Sequence, residues 1–445
     1  MTSTMSVALS GAPEQPASVG GMSLDEALLR MLAGLRPLPD EWVFIDDAPG
    51  RVVAHSLVAQ LTLPPWDNTA MDGFAVCSRD VRDASAEAPV RLAISGEVAA
   101  GHAPAMEVLA GTAVRILTGA PMPAGADAVV PVEQTDAEPG VADLPGEVSI
   151  LAGVAAGAHI RRAGSDLTEG EGLIAAGTVI RPGALALLAA TGHAAVPVHR
   201  RPRVMIMSTG DELVAPGEPL GPAQIYDSNA PSLAAQARAA GAEVRTLAAL
   251  PDQMEAVHEA LVESLGWADV AVVSGGVSVG AHDVVKEAFG RIGRLELWRV
   301  AVQPGKPLAF GRARRPGDDG EMLFFGLPGN PVSSFVTFEL FVRPVLRQLA
   351  GHLDPTERRA VRARLAEAVT KAPGRRAFLR VSLAREHDGE RNGGVAWVAR
   401  PSGGQGSHVL SALAAADGLA IVSEDVEGLP AGAEVEVWIL DGGEV

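Results

Sequence analysis

The sequence predicts a multidomain protein of α/β plus β class, organised around a three-layer α/β/α domain. Three observations predict it. From Arg203 to about residue 350, short Val-rich apolar runs alternate with helix-length stretches, the pattern of a mostly parallel sheet covered on both faces. Residues 51–162 are short strand-like runs punctuated by Gly and Pro, which predicts a β-rich inserted domain. Residues 354–443 alternate apolar and polar positions between Gly-rich turns, which predicts a small β-barrel-like C-terminal domain. Residues 22–50 and 163–200 then read as one mixed domain split by the insert, a linker, and 1–21 as a floppy tail.

The elements follow in order. Ser23 and Glu26 form a capping box for a helix over Ser23–Leu35, with Leu24, Leu28, Met31, Leu32 and Leu35 on one face. Trp42–Ile45 reads as a strand. Two prolines make 63–73 a structured loop, in which Asp67 and Asp72 are expected to hold their own backbone in Asx turns. Strands are predicted from Phe74 and over Arg91–Ile94, Thr112–Leu117, Ala128–Pro131 and Val148–Leu151. Arg161 and Asp166 flank a glycine turn, where a surface ion pair is the plain reading. Pro182–Thr191 is a helix with Pro182 near its start and Gly192 just past its end.

In the central domain, strands are predicted over Val204–Met207, Val244–Leu250, Asp269–Val273, Leu295–Val300, Leu308–Phe310 and Met322–Phe325. Helices are predicted from Asn229 to about Ala240, over Gln253–Leu265, and from Asn330 and Pro331 onward, with Asn330 as cap. The C-terminal strands are Arg362–Ala366, Phe378–Leu383, Ala396–Ala399, Ala420–Ser423 and Val435–Leu440.

Composition narrows the function classes. A net charge of −18, from 36 basic and 54 acidic residues, argues against nucleic-acid or acidic-membrane binding. It also requires that any anionic ligand meet a local set of Lys and Arg. Cys77 is the only cysteine, so there is no intramolecular disulfide and no Cys-based metal site, which fits a reducing cytoplasm. Residues 1–21 lack the basic start and apolar core of a signal peptide, and the most apolar stretch, 183–198, is too short to span a bilayer. The P-loop, dinucleotide, zincin and nucleophile-elbow signatures are absent.

What remains is a set of acids and Gly/Pro-rich loops placed after predicted strands. Asp211 and Glu212 follow the first central strand, Asp252 the second and Asp283 the third, so their carboxylates should converge at one edge of the sheet. Hard oxygen donors held that way suit Mg²⁺ together with substrate phosphates. The plain alternative for Asp283 is a helix N-cap. The loops 274–280, 303–307 and 326–331 offer backbone N–H groups suited to anions, and Arg299, Lys306 and Lys286 offer positive charge.

These motifs together resemble the molybdopterin molybdenumtransferase family (MoeA and the E domain of gephyrin). The matching pieces are Asp67-Asn-Thr-Ala-Met-Asp-Gly-Phe-Ala-Val, Leu117-Thr-Gly-Ala-Pro, Arg161-Arg-Ala-Gly-Ser-Asp, Ser208-Thr-Gly-Asp-Glu-Leu, Tyr226-Asp-Ser-Asn, Ser274-Gly-Gly-Val-Ser-Val-Gly, Pro304-Gly-Lys-Pro and Leu327-Pro-Gly-Asn-Pro-Val-Ser. They stand in family order. The resemblance implies an elongated, cytoplasmic homodimer whose central domain, 201–350, binds molybdopterin. It implies transfer of molybdate into adenylylated molybdopterin, with Mg²⁺-dependent cleavage of the pyrophosphate and release of AMP.

It also implies residue roles. Catalysis would fall to Asp67, Thr118, Asp166, Glu212, Asp252 and Asp283, the last three holding the metal. Asp67, Thr118, Arg161 and Asp166 would reach across the dimer. Substrate contacts would come from Arg161, Ser274, Gly275, Gly276, Ser278, Arg299, Lys306, Pro307, Pro328, Pro331 and Ser333. Ser407 and Arg375 would complete an oxyanion site for molybdate. Candidate protein partners are the molybdopterin adenylyltransferase and Mo-enzyme chaperones.

Two positions depart from the family pattern. Gln303 stands where many relatives have Lys, and Ala281 replaces an acid common before the residue matching Asp283. Two other readings use the same features: a non-catalytic scaffold, which would have no need of Asp252 and Asp283, and another pterin or nucleotide enzyme such as one for the adenylylating step.

Overall fold

The computed structural model describes residues 21–138, 144, 146–276, 284–317, 320–388 and 394–440. Ser278, Asp283 and Ala281 lie outside the described residues. The chain forms two compact units. One holds the described residues up to Glu41, Gly50–Val52, and those from His199 on; the other holds Trp42–Pro49 and Val53–Val198.

The centre of the first unit is a six-stranded sheet: β1 Arg203–Ser208, β2 Glu243–Thr246, β3 Val270–Ser274, β4 Arg294–Arg299, β5 Pro307–Arg314 and β6 Glu321–Leu327. Their order is β2-β1-β3-β6-β5-β4. The first four are parallel; β5 and β4 are added antiparallel. All five residues of β3 are buried, as a strand covered on both faces requires. Alternate residues serve opposite layers. Val270 and Val272 join the core with helix Asn229–Ala239 and the C-terminal helices, whereas Ala271 and Val273 join that with helices Met254–Leu265 and Val284–Gly290. The α/β/α layering follows the sequence expectation.

The expected Val244–Leu250 strand is shorter. Regular pairing ends at Thr246, although the Leu250 N–H still donates to Ser208 O at 2.9 Å ahead of Pro251. The last helix is also not continuous. Pro331–Thr337 passes through a π-helical stretch, Phe338–Val342, into Arg343–Leu349. Pro344 has no N–H for the carbonyl of Leu340, so a wider turn resolves the gap. Helix Leu24–Leu32 packs on the same core through Leu24, Ala27 and Met31, and its Ser23 hydroxyl accepts the Glu26 N–H at 3.1 Å, one half of the expected capping box, while Glu26 Oε1 accepts from Arg30 Nη2 at 2.9 Å.

The C-terminal strands Ala360–Leu365, Arg376–Asp388, Gly394–Pro401, Gly418–Val422 and Glu434–Ile439 close into a five-stranded barrel, because Arg376–Asp388 pairs with both Gly394–Pro401 and Gly418–Val422. Alternating small apolar residues, among them Ala363, Leu365, Leu379, Val381 and Val437, fill its interior.

In the second unit, a five-stranded sheet runs in the order Ala128–Pro131, Gly73–Val76, Thr112–Ile116, Val90–Val98, Glu147–Ile150. Both faces are covered: Phe74 and Val76 join one core cluster, Ala75 the other. Helix Pro182–Ala190 sits on a separate core with Val53, Ile174, Val196 and Val198.

Candidate functional site

The path from β1 to β2 lies on one side of β1, and the path to β3 on the other. The carboxyl ends of β1 and β3 therefore mark a topological switch point, where open α/β sheets form ligand crevices. A cavity of about 830 Å³ opens there. Thr209, Glu212 and Asp252 line it from the loops after β1 and β2, Ser274–Gly276 from the end of β3, and Gly329–Pro331 from the loop after β6. Tyr226–Asn229 line it from the start of a helix, and His408 and Leu410 from the barrel.

Backbone geometry explains the glycines. Gly275 and Gly276 adopt φ +93° and +62°. A Cβ on Gly275 would stand 2.5 Å from Thr209 O, and one on Gly276 2.4 Å from Val285 Cγ2. Only glycine lets the two loops approach this closely. Asn229 Nδ2 then ties the wall together, donating to Ser274 Oγ and to Gly329 O, both at 2.7 Å.

The acids divide by what they bond. Asp227 is buried and caps helix Asn229–Ala239, its Oδ1 accepting from the N–H groups of Asn229 (2.9 Å) and Ala230 (3.1 Å). Asp252 Oδ1 accepts from the Thr209 hydroxyl at 2.8 Å, and its Oδ2 has no hydrogen bond among the described residues. The Glu212 carboxylate likewise has none there. Both acids line the cavity, Asp252 with one oxygen and Glu212 with both free of hydrogen bonds among the described residues. Among the described residues no group of three or more His, Cys, Asp or Glu is gathered as a metal site; the expected third acid, Asp283, lies outside them.

Of the predicted residues, Glu212, Asp252, Ser274, Gly275, Gly276 and Pro331 line the cavity. Pro328 O accepts from Ser274 Oγ at 3.5 Å, and Ser407 O accepts from Val332 N at 3.1 Å. Arg299, Lys306, Pro307, Ser333 and Arg375 do not line it, and no lysine or arginine is among the described lining residues. Among the described residues, then, the expected cationic cluster does not line this cavity. Arg299 ends β4, three strand spacings or roughly 14 Å from β3 across the sheet, which explains its separation. Helix starts are also less open than expected. The Asn229 and Ala230 N–H groups serve Asp227 and that of Val332 serves Ser407, while Asn330 is an N-cap whose side chain makes no capping bond. The Gly276, Gly329 and Asn330 N–H groups remain without a hydrogen bond among the described residues.

The second unit holds Asp67, Thr118, Arg161 and Asp166. Asp67 does not fold onto its own loop as the Asx reading expected. It accepts from Arg162 Nη1 at 2.5 Å and from Ala163 N at 2.8 Å, and these donors hold its carboxyl below the usual range, Ala163 first. Asp72 Oδ1 accepts from the Thr118 hydroxyl and N–H, both at 2.6 Å, with the same effect. The ion pair of the turn is Arg162–Asp67 rather than Arg161–Asp166. Arg161 lies in a short strand opposite Asn68, and the Asp166 N–H donates to Leu63 O.

The sequence reading missed Asn229, Tyr226 and His408 as lining residues. Tyr226 and Asn229 stood inside a matched motif at a helix start, and His408 follows Ser407, which the resemblance had singled out without its neighbour.

Family models match in three consecutive pieces: the MoeA N-terminal region (domain I and II) over 22–192, a probable molybdopterin binding domain over 205–348, and the MoeA C-terminal region (domain IV) over 362–440. The chain is 40% identical over 419 residues to molybdopterin molybdenumtransferase 2 of Mycobacterium tuberculosis, covering 92% of this chain and 96% of the relative. It is 36% identical over 434 residues to molybdopterin molybdenumtransferase 1 of the same organism, covering 94% and 99%. The crystal structure of the molybdopterin biosynthesis MoeA protein from Pyrococcus horikoshii superposes with a TM-score of 0.75 at 32% identity, over 95% of this chain and all of that one.

Proposed function

Since the chain belongs to the molybdopterin molybdenumtransferase family and is a transferase of molybdenum cofactor biosynthesis, we propose that it moves molybdate into adenylylated molybdopterin, with pyrophosphate cleavage and release of AMP. The observation that carries this reading is the switch-point cavity, where Glu212 and Asp252 border the same space as the Gly276, Gly329 and Asn330 amides, with carboxylate oxygens and N–H groups that have no hydrogen bond among the described residues. The amides suit phosphate or molybdate oxygens. The carboxylates suit Mg²⁺, because a hard divalent cation takes one or two carboxylates plus substrate phosphates. Glu212 and Asp252 would hold it, with Asp283 as the expected third. The ion would supply neutralisation of the charge that develops on the leaving phosphate.

This chain's own residues do the rest. Thr209 orients Asp252 so that its second oxygen points free of the loop hydrogen bond. Asn229 fixes the Ser274 and Gly329 walls against each other, which sets the width of the crevice. Asp227 saturates the helix start and so leaves the loop amides as the donors for anion oxygens. The proposal includes the homodimer and the cytoplasmic location that the resemblance implies; among the described residues no helix is long and apolar enough to cross a membrane.

The test supplies purified protein with adenylylated molybdopterin, MgCl2 and molybdate and follows AMP. AMP release that requires molybdate and Mg²⁺ is the expected result. No AMP under any divalent metal would refute the reading, and a monomer by light scattering would refute its homodimer.

A further inference from the structure

Arg380 is 1% exposed, on the face of its barrel strand opposite to Leu379 and Val381, and no carboxylate reaches it among the described residues. Burying a charge without a counter-ion is costly unless something in the fold requires it. Its guanidinium Nη2 donates to Gly404 O at 2.8 Å and to Gly406 O at 3.1 Å, while its buried Nε has no partner among the described residues. Gln405 completes the clamp from the loop side. Its Oε1 accepts the Arg380 N–H at 2.9 Å, and its Nε2 donates to Arg380 O and Gly403 O, both at 3.0 Å. Five bonds from one strand position and one glutamine therefore fix residues 403–406.

The chain that leaves this clamp goes directly to the cavity. Ser407 O accepts from Val332 N at 3.1 Å, and His408 lines the cavity. In a trans peptide the carbonyl and the N–H point in opposite directions. With Gly406 O drawn toward Arg380, the Ser407 N–H points away from it, and no hydrogen bond among the described residues uses that N–H.

We propose that Arg380, with Gln405, is a positioning residue for the barrel-side wall of the cavity, holding the 403–407 loop in the shape that presents the Ser407 amide and His408 to a bound oxyanion. This rests on the proposed function for the identity of the oxyanion, not for the positioning itself. Arginine suits the task because its planar fork meets two carbonyls at once and keeps its charge when buried; lysine is a single point donor that loses its proton readily in such a place.

The experiment compares full-length wild type with Arg380→Lys and Gln405→Ala. Amide hydrogen exchange is followed in 403–409 and, as control, in the barrel strand Gly418–Val422. Molybdate dependence of AMP release gives half-saturation and kcat separately. The expected result is exchange about tenfold faster in 403–409, an unchanged control strand, and molybdate half-saturation raised about tenfold at a kcat that moves far less. Unchanged exchange in 403–409 would overturn the positioning role. So would faster exchange with unaltered molybdate half-saturation, or equal loss of protection in the control strand in both variants. If Arg380→Lys does not fold, Gln405→Ala decides. If the wild type releases no AMP, the proposed function fails, and molybdate binding by calorimetry replaces the kinetic readout for the positioning role.

Discussion

Carboxylates in the two units face opposite circumstances. In the second unit, Asp67 engages both oxygens, with Arg162 and Ala163, and Asp72 takes two donors from Thr118 on its Oδ1. At the switch point of the first unit, Asp252 uses one oxygen and Glu212 neither, among the described residues. A carboxylate whose lone pairs are engaged by the fold contributes to stability; one left with open oxygens beside a cavity contributes little and is available to a ligand. The comparison teaches that the kind of residue and its place after a strand do not separate the two roles. The count of donors around it does.

The largest effect expected from this contrast is at Asp252. Asp252→Asn should lower turnover by about 100-fold or more while the melting temperature stays nearly unchanged. A kinetic assay beside a thermal melt checks it, and an equal loss of both would break the contrast. Gly275→Ala comes next. A Cβ 2.5 Å from Thr209 O, on a residue at φ +93°, should cost about 1–3 kcal/mol in urea unfolding and close the crevice. Unaltered stability there would mean that the loops approach less closely than the geometry requires.

Asp67→Ala should do the reverse of Asp252→Asn. We expect a loss of about 1 kcal/mol, modest because Asp67 and Arg162 are both solvent-accessible, with turnover reduced less than at Asp252. The family resemblance gives Asp67 a catalytic role, so turnover that collapses at constant stability would favour that role over the staple. The smallest effect concerns acid. Thr118 holds the Asp72 pKa below its ordinary 3.8 in the folded protein, so its stabilisation is full above about pH 3.8 and is lost as pH falls through the folded value. Asp72→Asn should flatten that acid limb of the stability profile and leave the neutral region little changed. A steeper limb in the variant would contradict the sign.

Much of this was legible beforehand, for reasons tied to particular residues. The Ser23–Glu26 box, Pro182 with Gly192, and the Val270–Val273 run each carry their signal within a few positions, and each element appears where that signal lies. The five barrel strands were legible from alternation, and so was the convergence of Glu212 and Asp252 at one sheet edge. Other features were not. Arg161 and Arg162 are adjacent and equally basic, and only the strand pairing of Asn68 with Arg161 turns the second toward Asp67. The absence of Arg299 from the cavity follows from the strand order rather than from its position after a strand.

By itself, then, the sequence determined the elements, their class and the family, because propensity, capping and periodicity act between neighbours and the motifs stand in fixed order. Only the tertiary structure decided which acids keep open oxygens, that Asp227 caps a helix from outside the predicted start, and that His408 joins Thr209 around one cavity. Those outcomes depend on pairings between segments remote in the chain, where the donor that reaches a carboxylate is set by strand order and loop path and leaves no mark on the residues beside it.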